Sequence, residues 1–263
     1  MDMKEKILNE IEAVIKSRSV SFWRKPLAGF ADADSPYIRN LRRIVHPLHR
    51  MPREALEDAS VVIVYFLPFK EDIPRGNTRG ELSSREWAEV YEETNALFPV
   101  INSRLTALIS SLGYEAAVPP EASVFYRDEI ISRWSFRHLA YAAGLGTFGL
   151  NNMLITREGC AGRLNGIVSN IPLETGRPLE EEACLYKRNG SCGVCVKRCP
   201  SGALSSHGFN RRLCYDQCLK NAAVYTSLGS SYASAPGEEA ADTGSGVCGK
   251  CLCGCPCTFK RPL

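Results

Sequence analysis

No apolar run in this 263-residue chain is long enough to cross a bilayer. The longest, Val61 to Phe69, falls far short of the roughly 20 residues a membrane helix needs. The N-terminus, Met1-Asp2-Met3-Lys4-Glu5-Lys6, has no apolar signal core, so a cytoplasmic protein with no membrane partner is expected. The two signs of charge nearly balance: the net charge is +3, and no whole-molecule field marks a nucleic-acid binder. Cysteine is nearly missing from the first two-thirds, where only Cys160 occurs, while eleven of the twelve lie between Cys184 and Cys257. That imbalance divides the chain. Residues 1–175 read as a globular domain with its own core. Residues 176–263 read as a small domain held together by what its thiols bind.

What the second part contains is one signature written twice: Cys192-x2-Cys195-x3-Cys199-Pro200 and Cys248-x2-Cys251-x3-Cys255-Pro256. Each is the tail of the bacterial ferredoxin run C-x2-C-x2-C-x3-C-P, whose last cysteine ligates the other cluster of a two-cluster module. The leading cysteines are absent, with Asn189 and Ser245 in their places, but Cys184 and Cys214 lie upstream to fill the gaps. Eight thiolates serve two 4Fe–4S clusters. Crossed ligation gives Cys184, Cys192, Cys195 and Cys255 to the first, and Cys199, Cys214, Cys248 and Cys251 to the second. Cys218, four residues after Cys214 on an apparent helix, could replace it. Cys160 reads as a small buried residue, and Cys253 and Cys257 as thiols pointing away from the clusters. Zinc is the main rival, since C-x2-C knuckles also bind it. The repeated x3-C-P ending favours iron–sulfur, and nothing directs the chain to a compartment where disulfides form.

In residues 1–175 apolar spacing predicts helices over 3–17, from Ser84 to Leu112 and from Ile130 to Ala143. The second helix should stop at Gly113, and Pro99 should kink or break it. The third should stop at Gly144. Strands are expected at Val61 to Leu67, Met153 to Thr156 and Gly166 to Ser169. The run Ala143-Gly144-Leu145-Gly146-Thr147-Phe148-Gly149 ends a helix and precedes a strand, the reverse of the order a dinucleotide fingerprint requires. Its glycines suit a tight turn and a close backbone approach. Gly229 to Gly246, rich in Ser, Ala, Gly and acids, reads as a flexible loop. Asn210-Arg211-Arg212 and Phe259-Lys260-Arg261 are small basic clusters, either solvated faces or docking edges for an acidic donor or phosphates.

The segment Arg137-His138-Leu139-Ala140-Tyr141-Ala142-Ala143-Gly144-Leu145-Gly146-Thr147-Phe148-Gly149-Leu150-Asn151-Asn152-Met153-Leu154-Ile155-Thr156 resembles the "LA-x-x-AGLG-x-x-G-x-N-x-LLIT" stretch of the epoxyqueuosine reductases. Corrinoid-dependent reductive dehalogenases carry a related segment. In both, a two-cluster ferredoxin domain follows, as here, and the resemblance covers roughly Ala59 to Pro256. It implies an α+β protein: a nitroreductase-like α/β N-terminal domain that binds cobalamin, followed by a ferredoxin-like domain with two 4Fe–4S clusters. Gly144, Leu145, Gly146, Gly149 and Asn151 would lie against the corrin. The adjacent cluster would reduce the cobalt, and the cob(I)alamin formed would remove the epoxide oxygen from a tRNA nucleoside. A low-potential donor of the ferredoxin or flavodoxin type would supply the electrons. The family's proton-donating aspartate aligns with Ile130, which puts the donor role on Asp128 or Glu129; Tyr126 is a weaker candidate, and His138 a weak candidate for cobalt ligand. Two other readings accompany it: an electron-transfer protein without corrinoid, and a corrinoid reductase acting on another small substrate.

Overall fold

The computed structural model describes residues 2–240 and 244–262. Its first helix, α1 (Met3–Lys16), turns Ile7, Ile11, Val14 and Ile15 inward, the stripe the helical period demands. Strands β1 (Leu27–Asp32) and β2 (Val61–Pro68) are joined through three short helices, α2 (Pro36–Arg39), α3 (Leu41–Ile44) and α4 (Pro52–Ala55). Every residue of β2 is buried, as its β-branched and aromatic run predicts. After α5 (Asp72–Gly76) comes the long helix α6 (Arg85–Ser111).

Ser84 caps α6 by accepting the Trp87 amide at 3.2 Å. The helix runs unbroken through Pro99, so the predicted break does not occur; the long apolar face on both sides of it stays buried, with Leu97, Phe98 and Ile101 all in the core. It ends as predicted at Gly113, whose φ of +81° permits a left-handed turn. There Gly113 donates to the Ser110 carbonyl and Tyr114 to the Ile109 carbonyl, a Schellman closure.

Strand β3 (Ala116–Ala117) and helix α7 (Phe136–Ala142) follow. The helix expected from Ile130 starts six residues late. Ile130 takes a φ of +53°, and the amides of Tyr126 and Ile131 each donate to the other's carbonyl, so this backbone is committed to a bridge. The chain then forms a hairpin of β4 (Gly146–Phe148) and β5 (Leu154–Thr156), and the long strand β6 (Gly162–Ser169). Strand β4 arises inside the glycine run, where only a turn was expected. The main sheet has order β1-β2-β6-β3, with every pairing antiparallel. Alternate residues of β2 face opposite cores. Ile63, Tyr65 and Leu67 pack with α1 and α6, and Val62 and Val64 with Leu139 and Ala140 of α7.

The cysteine-rich part adds α8 (Leu185–Asn189), α9 (Val194–Lys197) and α10 (Arg211–Val224). It does not stand apart: Cys184, Val247, Leu252 and Cys253 join the same apolar cluster as Trp87 and Phe69. The segment expected to be a flexible loop is docked over much of its described length. Phe125 donates to the Ala233 carbonyl at 3.0 Å, Ala233 to the Ser123 carbonyl at 3.2 Å, and the Ser245 hydroxyl to Glu92 at 2.7 Å. Tyr232 meets Arg163 and Ser231 meets Glu92. The middle of that segment, 241–243, lies outside the described residues. Among the described residues no helix is long and apolar enough to cross a membrane.

Candidate cysteine-rich metal centre

Short helices and left-handed glycines aim the thiols. Cys184 precedes α8, which closes at Gly190 with φ +75°; Cys195 rides on α9. Cys184, Cys192, Cys195, Cys255 and Cys257 then line one narrow hollow of about 20 Å³, with Leu150, Tyr186 and Pro256 as apolar wall. A second group forms beside it. Cys214 and Cys218 stand one turn apart on α10, and the Cys251 thiol is flanked by those of Cys248, Cys214 and Cys199. The structure thus places four of the eight candidate ligands, with Cys257, around one hollow, and Cys199, Cys214 and Cys248 near Cys251 beside it. Among the described residues, no group of three or more His, Cys, Asp or Glu has the geometry to hold a metal ion.

Burial pushes the Cys195 thiol up to about 11 and does the same to Cys248. Without metal these thiols stay protonated near neutral pH, and ligation must displace the protons. On α10 the Cys218 thiol donates to Cys214 and Arg137 lies near, so Cys214 is lowered while Cys218 is raised. Of the two, Cys214 is the better thiolate. The backbone of the second triplet is held by groups that spacing did not reveal. Lys250, 2% exposed, donates to the carbonyls of Asn77 and Arg79 at 3.2 and 2.6 Å, and Asn77 donates to the Cys248 carbonyl at 2.9 Å. A buried lysine between two cysteines was the available signal.

The glycine run closes on the protein itself. A Cβ on Gly144 would meet the Arg177 carbonyl at 2.5 Å, on Gly146 the Ile155 carbonyl at 2.2 Å, and on Gly149 the Asn151 side chain at 2.5 Å. The Leu145 side chain packs over Gly29. Asn151 donates to the Cys251 carbonyl at 2.9 Å, and Gly149, Leu150 and Asn151 form part of the wall of the thiol-lined hollow. The run therefore links α7 to the cysteines. Gly146→Ala should disorder the β4–β5 hairpin, because the obstructing atom is backbone; a melting temperature equal to the parent's would contradict this.

Asp128 and Glu129 are both exposed. Glu129 is ion-paired with Arg133 at 2.6 Å and lies 3.3 Å from His46. It faces an open groove lined also by His207, Phe209, Arg211 and Arg212. Tyr126 lies under the Arg133 guanidinium, 3.8 Å from its ring centre. His138 packs against Phe148 and Tyr37, with Nδ1 2.7 Å from the Ser135 hydroxyl. Burial, then the Arg137 charge, lower its pKa to about 4. His49 is fully buried, accepts the Ser135 amide at 3.0 Å, and is lowered to about 4 mainly by burial. Both are neutral when folded and titrate near 6.5 when unfolded, so their contribution is complete above pH 6.5 and is lost as pH falls through 4. For His49 this is ~3 kcal/mol. The melting temperature should drop over that window, and His49→Gln should flatten the drop; a parent profile level from pH 7 to 4 would contradict it.

The fold is mixed α/β, with the cysteines of its second part clustered around one hollow and beside it. In sequence and in fold the chain is similar to epoxyqueuosine reductases, which are oxidoreductase enzymes. It is 40% identical over 78 residues to the epoxyqueuosine reductase of Listeria monocytogenes and 28% identical over 176 residues to that of Lactococcus garvieae. Those matches cover 29% and 64% of this chain, but only 19% and 44% of the relatives, so the chain aligns with less than half of either. The structure of epoxyqueuosine reductase from Streptococcus thermophilus superposes with a TM-score of 0.57 at 18% identity, covering 100% of this chain and 68% of that one. A crystal structure of epoxyqueuosine reductase with an epoxyqueuosine-modified tRNA stem loop gives 0.55 at 20% identity, covering 99% and 66%. No family model matches.

Proposed function

We propose that this protein is an iron–sulfur reductase of the epoxyqueuosine reductase type, in which two 4Fe–4S clusters deliver electrons for removal of an epoxide oxygen from a tRNA nucleoside. The observation that carries the reading is the convergence of Cys184, Cys192, Cys195 and Cys255 on one hollow and of Cys199, Cys214, Cys248 and Cys251 beside it. Four buried or half-buried thiols per group, an apolar wall and crossed pairing suit cubane clusters. In this reading residues 1–175 form a nitroreductase-like domain and 176–263 a ferredoxin-like one, working in the cytoplasm with a ferredoxin or flavodoxin as donor. Loss of the epoxide oxygen as water takes two electrons and two protons and leaves a carbon–carbon double bond.

The proton falls to Asp128 or Glu129. Of the two, Glu129 is engaged by the Arg133 guanidinium at 2.6 Å. Substituting the true donor by its amide should lower turnover by about 10²-fold or more, and unchanged rates for both Asp128→Asn and Glu129→Gln would remove them from the mechanism. Cobalamin enters through the resemblance; when bound it supplies the strong nucleophile that side chains lack. Gly144 and Gly146 suit the role of its cradle poorly, because the backbone carbonyls of Arg177 and Ile155 fill the space beside them, while Gly149 stays on the wall of the thiol-lined hollow. That packing favours a second reading, a two-cluster electron carrier without corrinoid. Reducing the anaerobic full chain with epoxyqueuosine tRNA stem loop, with and without cobalamin, separates the two. Queuosine formed only with cobalamin supports the reductase; clusters that reduce and reoxidise with no product under either condition support the carrier.

A further inference from the structure

We propose that Cys257 is an alternative fourth ligand of the first cluster, able to take the place of Cys255. The inference rests on the two-cluster reading above and adds a ligand to it. A cubane cluster takes four thiolates, and the hollow is lined by five. Motif spacing nominates Cys255, whose thiol lies within reach of the carbonyls of Cys251 at 3.5 Å and Cys253 at 3.9 Å and is hydrogen-bonded to the Cys257 thiol beside it. Cys257, two residues on, faces the same space.

Its place there is fixed, not incidental. The Cys160 amide donates to the Cys257 carbonyl at 2.9 Å and the Ala161 amide to the Thr258 carbonyl at 3.1 Å, which ties this turn to the chain leading into β6. Thr258, 1% exposed, accepts the Cys255 amide at 2.8 Å and donates to the Leu252 carbonyl at 2.8 Å, while its own amide donates to the Cys255 carbonyl at 3.0 Å. Pro256 stiffens the link between the two thiols. One closed turn therefore presents both sulfurs to one hollow, and exchange between them needs side-chain rotation and no backbone movement. The Cys160 thiol donates to that of Cys257 at 3.9 Å and is not part of the hollow's lining.

The test compares the anaerobically purified full chain with Cys255→Ala, Cys257→Ala and the double variant, using alanine because serine oxygen can itself bind iron. Iron and sulfide are counted, and the reduced proteins are examined by electron paramagnetic resonance. Each single variant should keep the parent's iron, with a changed line shape for Cys255→Ala. The double variant should lose about half while the second cluster's signal remains. Loss of half or more of the iron in Cys255→Ala alone overturns the proposal, and so does full retention in the double variant. A parent chain without iron would instead overturn the two-cluster reading on which it rests.

Discussion

Replacing Cys251 by alanine is expected to remove about four of some eight irons per chain, the share of one cluster. Cys251 lies near Cys248, Cys214 and Cys199, and the next thiol along, Cys253, is held elsewhere: it donates to the Gly249 carbonyl at 3.2 Å and accepts from the Asn77 amide at 3.5 Å. The loss should reach beyond stoichiometry. Structural metal sites contribute on the order of 10 kcal/mol to the folding of small domains. The part from Cys184 onward has few buried apolar side chains of its own, chiefly Leu204, Val247 and Leu252. Limited proteolysis of Cys251→Ala should therefore cut within that part while the sheet β1-β2-β6-β3 survives. Asn151→Ala, which removes the hydrogen bond to the Cys251 carbonyl and the one accepted from the Met153 amide, should cost about 1–3 kcal/mol and leave the iron in place. Equal iron in Cys251→Ala and its parent would refute the assignment.

The second large effect is expected at Gly249, between two ligands. Its φ is +67°, and a Cβ there would lie 2.2 Å from Trp87 Cε2 and 2.4 Å from Trp87 Nε1. Trp87 cannot retreat: it is 2% exposed and meets Phe69 edge-on, with ring centres 5.3 Å apart. Left-handed strain costs about 1–2 kcal/mol and overpacking about 1–3. Gly249→Ala should thus lose ~2–5 kcal/mol, a large part of a typical stability. Gly190→Ala is the control, with φ +75° and nothing within 4 Å of the added atom, so that only the strain remains. Urea titration of both reads the difference. Equal midpoints would mean that Trp87 does not clamp the second triplet.

The strongly periodic stretches were legible in the sequence, because local pattern and tertiary burial agree there. Isoleucines and a valine at helical spacing gave α1, the Val61 run gave the central strand, and Ser84 and Gly113 marked both ends of α6. The cysteine spacing also led to thiols that the fold gathers. What failed did so where tertiary partners decide. Nothing local in Ile130-Ile131-Ser132 announces a bridge to Tyr126 that cancels a helical turn. Pro99 reads as a breaker, but burial on both sides of it outweighs one missing hydrogen bond. For the glycines, spacing suggests a close approach but cannot say whose atoms make it; beside Gly144 and Gly146 they are the carbonyls of Arg177 and Ile155. Cys257 was set aside as a spare thiol because motif counting stops at Pro256, while the turn around Thr258 returns it to the hollow.

The central claim is that these thiols hold two iron–sulfur clusters. The most direct measurement is metal and sulfide analysis of the anaerobically purified chain, with a paramagnetic resonance spectrum after dithionite reduction. The account predicts about eight irons and eight sulfides per chain and a reduced 4Fe–4S signal broadened by the neighbouring cluster. About two zinc ions per chain, with no labile sulfide and no signal on reduction, would contradict it.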